Sequence, residues 1–205
     1  MLNLKLISKI LGSLLWIEGV LMLSCLFVSL FYNGSDVIPF VWSILITVGA
    51  GFIFRLLGRH ADNLLGRRDA YFVVTISWIL FTIFGTLPFM ISGGIGSFTD
   101  AFFEAMSGFT TTGATIIDYP EYLPEGLLFW RSLTQWIGGL GIVFFTIAIL
   151  PSMVGGSVKV FAAEATGPIK SKLHPRLSTS AKWIWVVYLV LTTACILSYK
   201  VCGMG

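Results

Sequence analysis

The stretch SFTDAFFEAMSGFTTTGAT, Ser97 to Thr115, decides the fold. Phe98, Ala101, Phe102, Ala105 and Met106 recur at helical spacing. Ser97, with Asp100 three residues on, has the form of a capping box, with Asp in place of the better Glu or Gln. A helix over Phe98 to Ser107 is ~15 Å long, about half of the ~30 Å hydrocarbon thickness of a bilayer. Such a helix ends near the midplane, where Gly108 is expected to let the chain turn back. The polar run Thr110 to Thr115 follows. Non-helical backbone at that depth is tolerated only where protein buries it or where it lines a water-filled cavity. The carbonyls of an extended run there can replace water around a dehydrated cation. Threonine favours extended backbone and offers a hydroxyl oxygen. Gly113 permits a carbonyl orientation that a Cβ would resist. The partly negative C-terminal end of the short helix also favours a cation.

Working outward, the chain is apolar almost everywhere else. Of 205 residues, 56% are hydrophobic and 11% charged, against roughly 25% charged in a soluble domain. Mean hydropathy is +0.90. This is the composition of an integral membrane protein. A net charge of +3 is too small to point to nucleic acid. Cys25, Cys195 and Cys202 form no CxxC pair, and His60 and His174 lie far apart in basic loops, so no metal site or disulfide framework is readable. No Ser/His pair, HExxH motif or paired aspartates lie in the spans, which argues against an intramembrane enzyme.

Five segments reach the ~20 apolar residues a spanning helix needs: Ile10–Tyr32, Ile38–Leu57, Ala70–Ile91, Leu127–Leu150 and Trp183–Lys200. The first lacks a cleavage site and reads as a retained helix. YNGSD (Tyr32–Asp36) is a tight turn, and Pro151 with Gly155-Gly156 ends the fourth span. The fold class is therefore all-α and membrane-integral, with five transmembrane helices plus one re-entrant helix and its loop. Lys5, Lys9, Arg55, Arg59, Arg67, Arg68, Lys159, Lys170, Lys172, Arg176 and Lys182 all fall on one side, leaving only Arg131 and Lys200 on the other. The positive-inside rule places the N-terminus in the cytoplasm. The opposite face carries Asp36, Asp118, Glu121 and Glu125, with Asp100 near, an acidic mouth expected to attract cations. The basic segment before the fifth span is expected to lie on anionic headgroups or to dock a cytoplasmic partner.

Polar residues within the spans carry further expectations. Glu104 is expected to bind loop amides or Arg131. Thr134 and Gln135 are expected to hydrogen-bond neighbouring helices. Gly138, Gly139 and Gly141 form a small-residue surface for close packing against the half-length helix, or a hinge. Glu18 is expensive in lipid and is expected to pack or pair inside protein. Trp16, Trp42, Trp78, Trp130, Trp136, Trp183 and Trp185 read as interface anchors and packing residues.

FFEAMSGFTTTGAT, LPEGLLFWRSLTQWIGGLGIVFFTIAILP and KSKLHPRL together resemble the Trk/Ktr/HKT superfamily of potassium transporters, most closely its bacterial TrkH branch. The resemblance runs from the first span to the end of the chain. It implies two extra N-terminal helices (1–68), a first helix–pore loop–helix repeat (69–151), a basic cytoplasmic or interfacial loop (152–182) and the first helix of a second repeat (183–205). It implies a selectivity filter at Thr110, Thr111, Thr112, Gly113 and Ala114, with K⁺ passing mainly the backbone carbonyls of Thr111 and Thr112. It further implies no bound cofactor beyond the transported ion, a homodimer in the bacterial inner membrane, and a cytoplasmic nucleotide-binding regulatory subunit of the TrkA type. The family's pore needs four such repeats. These residues supply one filter loop, as the N-terminal portion of a longer protein, a truncated gene or a split gene would. A sodium-selective or mixed-cation relative, and a truncated scaffold that does not transport, remain the alternative readings.

Overall fold

The computed structural model describes residues 2–59, 61, 67–153 and 173–203. Among these, all regular structure is helical. The basic loop 152–182, its candidate partner-docking face, Gly155-Gly156 and His60 lie wholly or largely outside the described residues. The chain divides into two units, Met1–Ile142 and Val143–Gly205.

In the first unit, helix α1 spans Leu4–Phe31. It begins six residues before the apolar run because Asn3 caps it, its side chain accepting from the Leu6 amide at 3.2 Å. Lys5 and Lys9 therefore sit on the helix and not before it. Asn33, at φ 52°, makes the turn that YNGSD predicted, and α2 follows over Val37–Leu57. The α1–α2 contact depends on missing side chains. A Cβ on Gly12 would stand 2.6 Å from the Gly51 carbonyl oxygen. One on Gly58 would stand 2.6 Å from the Lys9 amide nitrogen. Small residues at such crossings let helix backbones approach where lipid gives no hydrophobic drive to associate.

Polarity is inverted relative to a soluble bundle. Ser43 and Thr47 of α2 are buried, while Ile38, Trp42, Leu45, Phe52 and Ile53 are exposed. Ser43 Oγ is satisfied within its own helix, donating to the Pro39 carbonyl at 2.8 Å, whereas Thr47 Oγ1 reaches across to Met22 Sδ of α1 at 3.8 Å. This outward apolar face is what an acyl-chain solvent requires. Three helices are long and apolar enough to cross a membrane among the described residues: Leu4–Phe31, Val37–Leu57 and Phe72–Ile91.

The third of these, expected over Ala70–Ile91, is interrupted at one residue. Helix α3 (Arg67–Gly85) and helix α4 (Leu87–Ile91) meet at Thr86. Pro88 has no N–H to continue the ladder, and its ring disfavours a carbonyl one turn back. Two side chains restore bonds there: Thr86 Oγ1 donates to the Ile83 carbonyl at 2.6 Å, and Trp130 Nε1 donates to the Gly85 carbonyl at 3.0 Å. Of the two expected roles, anchoring and packing, the fully buried Trp130 takes the second.

Helix α5 spans Phe98–Phe109. A short 3-10 turn (Pro120–Tyr122) precedes helix α6, Glu125–Met153. The sequence reads this span as about Leu127–Leu150, ended by Pro151 with Gly155-Gly156, and leaves a hinge open at the Gly138, Gly139 and Gly141 surface. The helix breaks at Gly141, where φ 67° and ψ 142° lie in a region open in practice only to glycine, and it runs through Pro151 to Met153. In the second unit, helix α7 runs over Leu173–Val201. Its apolar part, Trp185–Val201, is shorter than a full span.

Candidate functional site

The site is the end of α5 and the chain that leaves it. Ser97 starts α5 with extended backbone, but its side chain makes no capping bond, so the capping box does not form. The other end is fully bonded. Thr110 is the C-cap. The Thr112 amide donates to the Ser107 carbonyl at 3.0 Å and the Thr111 amide to the Gly108 carbonyl at 2.9 Å. These are the two bonds of a Schellman motif. The residue that must be left-handed in that motif is Thr111, at φ 56°. A β-branched residue there costs roughly 1–2 kcal/mol.

The expectation that Gly108 makes the turn is therefore wrong. Gly108 is helical and buried, and a Cβ on it would run into the Thr134 hydroxyl. Gly138 plays the matching part on α6: a Cβ there would strike the Phe109 carbonyl and stand 2.9 Å from the Gly108 carbonyl oxygen. Of the three α6 glycines, Gly138 serves close packing, Gly141 makes the break, and Gly139 is exposed. Phe109 locks the junction from inside, edge-on to Phe81 at 5.6 Å and to Trp130 at 6.2 Å between ring centroids.

Beyond the turn, Gly113 has φ 75°. The carbonyls of Thr110, Thr111, Thr112 and Gly113 accept no hydrogen bond among the described residues. The Ala114 carbonyl differs, because Ser107 Oγ donates to it at 2.6 Å. Thr110 Oγ1 and Thr112 Oγ1 lie 2.8 Å apart. Residues 110–116 are exposed. The five candidate residues thus form one exposed irregular segment, not extended throughout as expected, because Thr110 and Thr111 belong to the turn; four have carbonyls without a hydrogen bond among the described residues and one carbonyl is anchored to the helix.

Glu104 holds the far end of this segment. Its carboxylate, 2% exposed, accepts from Arg131 Nε at 2.6 Å. It also accepts from Thr115 Oγ1 at 3.0 Å and from the Ile116 amide at 3.1 Å. Both expected partners, a loop amide and Arg131, are present at once. Gln135 Nε2 lies 3.5 Å from where a Cβ of Gly113 would be. Thr134, expected to bond a neighbouring helix, donates instead to the Arg131 carbonyl of its own helix at 2.8 Å.

Two acids depart from their expected places. Asp36 is fully buried and does not belong to an acidic mouth. It accepts from Ser29 Oγ and from the Leu127 amide, the latter at 2.8 Å, and so caps the start of α6 from α2. Asp100, Asp118, Glu121 and Glu125 are exposed. Glu18 is fully buried, and neither carboxylate oxygen has a hydrogen-bond partner among the described residues. It packs near Gly85 and does not pair among them.

The model of the family TrkH, "Cation transport protein", matches residues 38–203. The chain belongs to the TrkH family. The chain is 40% identical over 206 residues to the Trk system potassium uptake protein TrkH of Halomonas elongata, covering 100% of this chain and 43% of that protein. It is 34% identical over 206 residues to the Trk system potassium uptake protein TrkG of Escherichia coli, covering 98% of this chain and 42% of that protein. The crystal structure of the potassium transporter TrkH from Vibrio parahaemolyticus superposes with a TM-score of 0.78 at 34% identity, over 98% of this chain and 40% of that one. The chain thus spans about two fifths of the length of the relatives it matches. Within this TrkH-family chain, the helical architecture is similar to that of the Vibrio parahaemolyticus TrkH structure.

Proposed function

We propose that this chain is part of a Trk-type potassium uptake protein, and that Thr110 to Ala114 form one segment of its selectivity filter. The observation that carries the reading is the unbonded carbonyl row of Thr110 to Gly113, held out from the end of α5 by the Thr111 turn. Such a row is what a dehydrated cation needs in place of water. The names of the relatives, Trk system potassium uptake proteins, indicate potassium as the ion.

In this reading α1 and α2 are the extra N-terminal pair. Helices α3 and α4 form one span, α5 is the re-entrant pore helix and α6 the span that closes the first repeat. Helix α7 opens the next, which makes five spans. The cluster of Lys5, Lys9, Arg55 and Arg59 at one end of α1 and α2 supports a cytoplasmic N-terminus in a bacterial inner membrane. The exposed Tyr119 and Tyr122 at the filter end suit the opposite interface. The exposed filter segment fits a pore completed by further repeats. A homodimer and a TrkA-type nucleotide-binding regulator follow by family likeness. Potassium is the cargo, and no cofactor is assigned.

The test uses the full-length gene in cells deficient in potassium uptake. Gly113→Ser should reduce growth at low potassium and lower the preference for potassium over sodium. Unchanged growth with unchanged preference would sink the filter assignment.

A further inference from the structure

We infer that the recess between the basic ends of α1 and α2 is a binding site for the headgroup of an anionic phospholipid. The recess has a volume of about 270 Å³ and is lined by Lys9, Trp16, Phe52, Arg55, Leu56 and Arg59. That is several times the ~30 Å³ share of one water in the liquid. Three of the six lining residues are cations and none is an acid. No carboxylate pairs with Lys9, Arg55 or Arg59 among the described residues.

The cations are arranged by the fold. Arg55 stacks on the Trp16 ring, its guanidinium carbon 4.4 Å from the centroid. The ring is itself fixed, because Trp16 Nε1 donates to the Val48 carbonyl at 3.3 Å. An Arg held flat keeps its edge donors free for phosphate oxygens. The close approach of Gly58 to Lys9 brings the end of α2, and with it Arg59, against the first turns of α1.

The walls choose among anions. Phe52 is 54% exposed and Leu56 51% exposed. Below them the outward face of α2 continues with Leu45 and Ile46, also exposed. A free phosphate gains nothing from such walls. A phospholipid places its phosphate among the cations and its acyl chains along the apolar face. The inference rests on the membrane placement of α1 and α2 and on nothing about ion selectivity.

The test is native mass spectrometry of the full-length protein in detergent, titrated with phosphatidylglycerol, with phosphatidylcholine of the same acyl chains, and with inorganic phosphate. The compared variant is Lys9→Gln/Arg59→Gln, which leaves the Arg55–Trp16 stack intact. Phosphatidylglycerol should bind the wild type more tightly than phosphatidylcholine. Its first-site affinity should fall about thirtyfold in the double variant, about fivefold for each cation, at about 1 kcal/mol per basic side chain. Phosphatidylcholine binding should not change. Equal phosphatidylglycerol binding by variant and wild type would overturn the site. Displacement of the lipid by millimolar phosphate would overturn the lipid as its occupant. Both lipids binding equally to the wild type would overturn the headgroup recognition. Potassium uptake is not read in any arm, so a failed filter assignment leaves the result interpretable.

Discussion

Replacing Glu104 by alanine should loosen the chain just past the filter segment and leave α5 itself folded. The wild-type carboxylate accepts from Arg131 Nε, Thr115 Oγ1 and the Ile116 amide. Truncation removes all three bonds. A hydrogen bond to a charged group contributes about 1.5–3 kcal/mol. The larger cost of breaking a buried ion pair, about 3–5 kcal/mol, does not apply, because the Arg131 side chain is 24% exposed and can turn to water. The Ile116 amide has no other acceptor, so its opening should become about 10–150-fold more frequent, the range that 1.5–3 kcal/mol implies. Hydrogen exchange followed by mass spectrometry reads this directly in a peptide covering Thr115 to Ile117. A peptide within Phe98 to Phe109 serves as the internal reference and should be unchanged. Glu104→Gln keeps one acceptor oxygen but meets Arg131 with a neutral amide, so its exchange should fall between wild type and alanine. The reasoning is refuted if Ile116 in Glu104→Ala exchanges within twofold of wild type, or if the α5 peptide loosens to the same degree.

Four further changes separate backbone conformation, packing and capping. Gly113→Ala meets only Gln135 Nε2 at ordinary contact distance. It should therefore cost roughly 1–2 kcal/mol from the left-handed backbone alone, seen as a modest fall in thermal midpoint together with a lower potassium-over-sodium uptake ratio. Gly138→Ala drives a methyl into the carbonyls of Gly108 and Phe109. Overpacking of about 1–3 kcal/mol should lower the thermal midpoint further, and a midpoint equal to wild type would contradict the packing. Thr111→Gly relieves the β-branched left-handed turn, so the midpoint in detergent should rise by the equivalent of about 1 kcal/mol. Asp36→Ala removes the cap on α6 and should cost about 0.5–2 kcal/mol. Adding salt should not mimic that loss, because the carboxylate is buried.

Local patterns in the sequence located the helix that begins at Phe98 and the α2 boundaries. Each rests on residues whose meaning depends on near neighbours: the spacing of Phe98, Ala101 and Ala105, and the turn before Pro39. The Glu104–Arg131 pair, 27 positions apart, is legible only as one of two possible partners for a costly acid. The misreadings share a different cause. Asp36 looked like an exposed acid on a loop, but its partner, the Leu127 amide, is 91 positions away in sequence. Trp130 reads as an anchor or packing residue, and its hydrogen bond goes unseen, because only the break at Thr86 leaves the Gly85 carbonyl in need of a donor. Neither contact leaves a mark within a local window.

The turn at the end of α5 joins these two cases. Propensity favours glycine at a left-handed helix end, and Gly108 stands three residues before the position that turns. The structure gives that glycine to packing instead, where the Thr134 hydroxyl leaves no room for a Cβ. The left-handed position then falls to Thr111, whose strain the two Schellman bonds and the Phe109 contacts hold in place. Moving the turn back to Gly108 would shorten α5 by three residues, or ~4.5 Å of helix. It would also draw Phe109 away from Phe81 and Trp130. The strain at Thr111 is thus the cost of extending α5 while keeping its tip clamped to α6. Strain persists at a residue only where its surroundings over-determine it. Here the surroundings are the elements that set how far Thr110 to Gly113 stand from α6.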